Sequence, residues 1–216
     1  AIDLAWVNVA GCRIFPKNFI FSSTAAVYKD GQYKVSENSI IRPKSVYGKT
    51  KIKAEKIIKS FCNKNKINYC ILRYFNIAGS SPSGKVGLIN KNDHLFKNFS
   101  REIMKNKPVL KIYGDNYNTK DGSCIRDFIH VSDIAEIHFK VLEKINKLNK
   151  SKILNCGYNK GVSVLQVAKE FKKQTSKKVK ILITERRKGD LVKIIASNLQ
   201  LKKFIRWKPK FDNLNK

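Results

Sequence analysis

The chain has 216 residues, and 45 Lys and Arg against 16 Asp and Glu give it a formal net charge of +29. Its 42% hydrophobic content suffices for one core with an appended lobe; no apolar run approaches the ~20 residues of a membrane helix, and no basic-then-apolar leader is visible, so a soluble cytoplasmic protein is expected. Eight of the basic residues are arginine and the lysines are spread along the chain among Asn and Ile, unlike the Arg-led or aromatic-interleaved surfaces that read nucleic acid, so weak binding at low salt is expected rather than a specific nucleic-acid partner.

Ala1 to Pro16 contains Gly11 as the only glycine before Gly31 and no G-x-x-G-x-x-G that can cradle a pyrophosphate on a helix N-terminus. Phe19 to Thr24 is a short buried strand with Ser22, Ser23 and Thr24 at its end. Lys29 to Pro43 is polar, holds Gly31 and Pro43, and is expected to be a surface loop. Ser45 then caps a helix whose apolar positions Ala54, Ile57, Ile58 and Phe61 recur at helical spacing, which sets Tyr47 and Lys51 one turn apart on one face. A phenol titrates near ~10, and a neighbouring ammonium favours the phenolate, so this pair can serve as a general base while Thr24 hydrogen-bonds the same substrate hydroxyl. In a chain this rich in lysine, the Tyr-x-x-x-Lys spacing also arises by chance.

Tyr69 to Tyr74 is a second strand, so strand, helix and strand form a right-handed parallel crossover whose strand ends face one crevice. Asn76 to Gly84 is a turn-rich exit. Leu95 to Lys107 has helical spacing at Leu95, Phe96, Phe99, Ile103 and Met104, with Pro108 as its stop. Val109 to Tyr113 is a strand; Asp121 to Val131 is a dense polar and apolar block in which Asp127 and His130 are read as fixing a turn, with a salt bridge to Asp127 as the plain alternative for Arg126. Asp133 opens the Ile134 to Ile145 helix, where its charge complements the dipole. Lys152 to Cys156 and Val179 to Ile183 are further strands. Between them Ser163 and Gln166 form a capping box for a helix buried through Val164, Val167, Ala168 and Phe171. Cys12, Cys62, Cys70, Cys124 and Cys156 are scattered, with no C-x-x-C pair, and read as reduced thiols rather than a disulfide frame or a metal site.

Several blocks stand in a telling order: Ser22-Ser23-Thr24-Ala25-Ala26-Val27-Tyr28, the Tyr47 to Lys51 helix, Leu72-Arg73-Tyr74-Phe75-Asn76, Ile112-Tyr113-Gly114-Asp115, Asp121 to Val131, Asn155-Cys156-Gly157-Tyr158 and Arg186-Arg187-Lys188-Gly189-Asp190. From Lys17 to Leu214 the chain resembles the extended short-chain dehydrogenase/reductase family, and within it the UDP-glucose 4-epimerase family. The resemblance implies an α/β fold: a partial Rossmann-like parallel sheet without its first βαβ units, plus a smaller C-terminal substrate lobe. Residues 1–16 would be an atypical segment, 17–79 the C-terminal half of the NAD-binding domain, and 80–216 mainly the nucleotide-sugar lobe with segments returning to the first domain. The chain would be truncated at both ends and, without the glycine-rich turn, would hold NAD weakly and turn over little alone.

By the same resemblance Thr24, Tyr47 and Lys51 are catalytic, and Ser22, Ser23, Thr24, Tyr47, Lys51, Tyr74 and Phe75 meet NAD. Asn76, His94, Leu95, Lys111, Ile112, Tyr113, Arg126, Arg187 and Asp190 meet UDP-glucose or UDP-galactose, Arg126 and Arg187 at the diphosphate and Asp190 at a ribose hydroxyl. A planar guanidinium suits a diphosphate through paired hydrogen bonds. The implied chemistry inverts C4: Tyr47 takes the 4-hydroxyl proton, Thr24 orients that hydroxyl, and NAD accepts and returns hydride. The resemblance also implies a homodimer for the full-length protein. Ile194 stands where an aromatic or small residue usually borders the sugar, which leaves acceptance of an N-acetyl group open, and Phe128 replaces a common tyrosine. A nucleotide-sugar 4,6-dehydratase needs an acid/base pair after the threonine, where this chain has Ala25-Ala26. The remaining alternatives are an inactive fragment and a cationic binding module.

Overall fold

The computed structural model describes residues 8–9, 12–13, 16–88, 94–148, 150–187 and 189–214. The expectation for residues 1–16 therefore falls largely outside the described residues, apart from a two-stranded antiparallel pair, β1 (Asn8–Val9) and β2 (Cys12–Arg13). In chain order there follow β3 (Asn18–Thr24), a 3-10 turn (Ala25–Val27), β4 (Lys34–Val35), α1 (Val46–Lys64), β5 (Asn68–Tyr74) and β6 (Asn76–Ala78). Next come α2 (Leu95–Ile103), β7 (Val109–Tyr113), β8 (Ile125–Arg126), β9 (Phe128–His130) and α3 (Val131–Leu148). The last group is β10 (Lys152–Cys156), β11 (Val162–Ser163), α4 (Val164–Lys173), β12 (Lys180–Thr184), β13 (Lys193–Ala196) and α5 (Leu199–Ile205).

The spine is a parallel sheet in the order β10-β5-β3. Strand β5 reads as a nearly continuous apolar run because both of its faces are covered. Its Cys70 and Leu72 pack with Ile137, Val141 and Ile145 of α3, Leu154 of β10 and Leu201 of α5. On the opposite face Tyr69 joins Phe19 and Phe21 of β3 against Ile58 and Cys62 of α1. A second core holds Phe99, Leu110, Ile112, Val167 and Ala168, where α2 and α4 pack with the parallel pair β7 and β12. Short strands join the two lobes: β13 runs parallel to both β8 and β4, β11 runs antiparallel to β8, and β6 pairs with β9.

Asp127 fastens this junction. Its Oδ1 accepts the Tyr158 amide at 2.8 Å, and Oδ2 accepts those of Asn159 at 3.0 Å and Ala196 at 3.1 Å. Burial pushes the carboxyl up to about 6 against the pull of those amides. Arg126 makes its ion pair elsewhere, so Asp127 is the turn-fixing residue of the first expectation rather than a salt-bridge partner.

Four expectations change. The 29–43 stretch is not all surface loop, because Tyr28 and Val35 are buried with Phe75 and Ile194, and β4 pairs with β13. One buried valine in a polar run leaves no periodicity to detect. Ile57 is 45% exposed while Ala54, Ile58 and Cys62 carry the buried face of α1. Helix α2 ends at Ile103, leaving Met104 outside and exposed. Ile194 packs its side chain into the core beside Phe75. The capping box holds as expected, with Ser163 Oγ accepting the Gln166 amide at 3.0 Å and Gln166 Oε1 accepting the Ser163 amide at 2.9 Å.

Candidate active site

Strands β3 and β5 end side by side, with Thr24 paired to Tyr74. The 3-10 turn starts at Thr24, whose Oγ1 accepts the Ala26 amide at 3.2 Å and so keeps its own hydrogen free to donate. Helix α1 begins directly against this turn. Ser45 caps it by accepting the Gly48 amide at 3.0 Å. A Cβ on Gly48 would lie 2.4 Å from the Ala26 carbonyl oxygen, so only glycine lets the first helical turn come this close to Thr24.

That contact brings the expected trio together. Lys51 Nζ donates to the Ser22 carbonyl at 2.9 Å and lies 5.7 Å from the centre of the Tyr47 ring and 5.0 Å from that of Phe21. Tyr47 is 57% exposed. Ser22 is exposed and Thr24 half-buried, and the Lys51 ammonium lies next to both the Ser22 backbone and the Tyr47 ring.

Three further residues expected to meet a cofactor, Ser23, Phe75 and Tyr74, are held by contacts within the fold. Ser23 is buried and donates to Glu55 Oε1 at 2.5 Å. Phe75 is buried with Ala25, Val27 and Val35. Tyr74 uses its hydroxyl on Ser22 Oγ and on His138 Nε2, both at 2.7 Å, and burial pushes that phenol up to about 12 against the hydrogen bond from Ser22. His138 Nδ1 meets the Ile134 carbonyl at 2.8 Å; a carbonyl only accepts, so Nδ1 carries the proton and Nε2 receives the Tyr74 hydrogen.

A buried ion pair beneath these residues was not anticipated. Glu55, fully buried on α1, takes Arg73 Nε at 3.0 Å and Nη2 at 2.7 Å in a fork, and Arg73 Nη1 also donates to the Tyr28 hydroxyl at 3.0 Å. The pair ties α1 to both central strands. Helical phase places Glu55 one turn after Lys51, but its partner Arg73 lies 18 residues on and is supplied by the fold.

Most of the residues expected to meet the nucleotide-sugar line a cavity of about 390 Å³. Asn76, His94, Leu95, Lys111, Tyr113, Arg126, Arg187 and Asp190 all line it. Ile112 does not: strand alternation turns its side chain into the core. Arg126 Nη2 donates to Asp190 Oδ1 at 2.8 Å and Nη1 to the Ile125 carbonyl at 2.9 Å, while the Arg187 guanidinium lies 3.9 Å from the centre of the Tyr113 ring. Lys188 lies outside the described residues. Arg101, Asn98 and Cys124 also face the cavity and were not anticipated. Asn76, two residues after Tyr74 in the chain, lines this cavity. Among the described residues no group of His, Cys, Asp and Glu can hold a metal ion, and no helix is long and apolar enough to cross a membrane.

The family model described as NAD dependent epimerase/dehydratase family matches residues 4–157. UDP-glucose 4-epimerase of Azospirillum brasilense is 34% identical over 198 residues, covering 91% of this chain and 57% of the relative. That of Halalkalibacterium halodurans is 36% identical over 200 residues, covering 92% and 60%. The crystal structure of UDP-glucose-4-epimerase from Stenotrophomonas maltophila, with bound NAD and formylated UDP-arabinopyranose, superposes with a TM-score of 0.86 at 29% identity, over 92% of this chain and 60% of that one. The chain thus spans about 57–60% of the length of the relatives it matches.

Proposed function

The chain belongs to the NAD dependent epimerase/dehydratase family, and from that premise we propose that the protein it forms is an NAD-dependent UDP-glucose 4-epimerase that inverts C4 of a UDP-hexose. What supports this reading is that the Lys51 ammonium sits between the Ser22 carbonyl and the Tyr47 ring near the turn that Thr24 begins, in a chain that also gathers Arg126, Arg187 and Asp190 around one cavity. Relatives named UDP-glucose 4-epimerase, and a solved one with NAD bound, support it.

The crevice residues fit the cofactor: the Ser22 hydroxyl is exposed there and the Lys51 ammonium is held beside it by the Ser22 carbonyl. Ser22, Thr24, Tyr47 and Lys51 would hold NAD, which when bound supplies the acceptor and donor of hydride. Tyr47 takes the proton from the sugar 4-hydroxyl and later returns it, and Lys51 stabilises the phenolate meanwhile. Thr24 donates to the same hydroxyl oxygen and fixes its direction. In the cavity Arg126 and Arg187 bind the diphosphate and Asp190 the ribose, anchoring the nucleotide while the sugar turns.

A 4,6-dehydratase fits less well, because Ala25, buried in the core, and Ala26 supply no acid or base after Thr24. Buried free thiols at Cys62, Cys70, Cys124 and Cys156 suit a reducing cytoplasm, and a homodimer completes the proposal. The decisive test is conversion of UDP-galactose to UDP-glucose by the whole protein with NAD. Tyr47→Phe should lower kcat by about 10²–10⁴-fold with little change in the affinity for UDP. Unchanged turnover in that variant overturns the assignment.

A further inference from the structure

The guanidinium of Arg73 collects contacts from chain segments on both sides of Thr24. Toward α1 it forks onto Glu55, Nε at 3.0 Å from Oε1 and Nη2 at 2.7 Å from Oε2, and Oε1 also accepts the Ser23 hydroxyl at 2.5 Å. On its other side Nη1 donates to the Tyr28 hydroxyl at 3.0 Å, and that hydroxyl donates on to Asn155 Oδ1 of β10 at 2.6 Å. Ser23, Tyr28, Glu55, Arg73 and Asn155 are all buried, so these bonds are made away from bulk water. Ser23 immediately precedes Thr24, and Tyr28 follows the 3-10 turn that Thr24 begins. One buried ion pair therefore grips the chain before and after that turn.

Helix α1 rests on the same piece of chain at two points. Lys51 donates to the carbonyl of Ser22, the neighbour of Ser23. Gly48, the neighbour of Tyr47, meets the Ala26 carbonyl so closely that a Cβ there would lie 2.4 Å from its oxygen. A shift of the turn is thus passed to the amine through Ser22 and to the phenol through Gly48, because close-packed groups transmit displacement rather than absorb it. Glu55 is carried by α1 itself, one turn beyond Lys51, so its bond with Ser23 ties helix to strand end at that level. We propose that Ser23 and Tyr28 are positioning residues of the proton transfer, their hydroxyls acting through the shared Glu55–Arg73 pair to hold the Thr24 turn and the start of α1 in fixed relation. The inference rests on the proton-transfer reading of Tyr47 and Lys51, and it gives Ser23, an expected cofactor contact, a different task.

Two hydroxyl deletions, Ser23→Ala and Tyr28→Phe, probe it from opposite ends and leave both members of the ion pair in place. They are made in the whole protein and assayed with UDP-galactose and NAD, with UDP affinity from calorimetry and melting temperature measured beside kcat. Each should lower kcat by about tenfold or more while UDP affinity stays within about twofold, because the displaced groups act on the sugar and not on the nucleotide. The double variant should lose far less than the product of the two, since either deletion already loosens the turn. Ile58→Val, on α1 in the cluster with Cys62 and Ile67, is the comparison: it lowers the melting temperature and leaves kcat level. Either single variant serves if the other fails to fold. Variants that melt early yet keep the wild-type kcat overturn the inference, as does a double variant whose loss equals the product, and both results leave Tyr47 and Lys51 standing. A wild type that converts no UDP-galactose overturns the proton-transfer reading, and this inference with it.

Discussion

Glu55 follows Tyr47 by two helical turns and Lys51 by one, so the periodicity that aligns the phenol with the amine also turns a carboxylate toward the sheet. There it meets Arg73 at 2.7 Å with side-chain exposures of 2% for the arginine and 0% for the glutamate. A pair so deep costs much to desolvate, and removing one member strands the other. Arg73→Met should therefore destabilise the protein by about 3–5 kcal/mol, whereas Arg73→Met combined with Glu55→Leu should recover much of that loss. Chemical denaturation of both variants checks it, and a double variant no more stable than the single one refutes it. At this scale the sequence singles out Thr24, Tyr47 and Lys51 as candidates because proton transfer from an alcohol needs few residue types at fixed spacing. It hid Glu55, Arg73 and His138, because their partners lie 18 to 64 residues away and only the fold introduces them.

Among elements, the start of α3 shows how a turn is locked from several directions. The His130 amide donates to the Tyr158 hydroxyl at 3.0 Å, that hydroxyl donates to Asp133 at 2.5 Å, and Asp133 also accepts the amides of Lys210 and Phe211. Asp133 thus does more than offset a helix dipole; it ties the C-terminal segment to α3. The His130 ring stacks on Phe211 with centres 4.3 Å apart, and its Nδ1 accepts the Ser132 amide at 3.1 Å, which requires the neutral ring. Burial lowers the His130 pKa, with Asp133 pulling the other way. The folded pKa is depressed, so this stabilisation is present above the unfolded value of about 6.5 and is lost as pH falls through the folded value. Melting temperature should accordingly fall as pH drops below about 6.5, and His130→Asn, which keeps an acceptor for Ser132, should flatten that limb. An identical acid limb in the variant assigns the loss to other groups. Such a junction is invisible to periodicity, since each hydrogen bond joins separate elements; the capping box at Ser163 was legible because both partners lie within one helical turn.

Across the whole molecule, the parallel pairing of β3 with β5 follows from the strand, helix and strand pattern, whereas the places of β10 beside β5 and of β12 beside β7 join segments far apart in the chain and come from the fold. The joint between the two lobes escaped because it is built from strands of two to four residues, too short to carry a pattern. Net charge is the other property of the whole, and it acts in two places with different physics. Lysines such as Lys44, Lys105 and Lys210 are exposed, so their attraction for a polyanion is screened by salt and carried by counterion release. Arg126 is nearly enclosed, so its attraction for a phosphate is screened far less. Duplex DNA binding should hence weaken by about 10³-fold or more between 50 and 200 mM salt, a range set by several phosphate contacts, while UDP, meeting two or so cationic groups in a shielded cavity, should lose less than about tenfold. Parallel fluorescence titrations over that range decide the matter. Equal salt slopes for the two ligands would put the nucleotide on the outer lysines rather than in the cavity of Arg126 and Arg187.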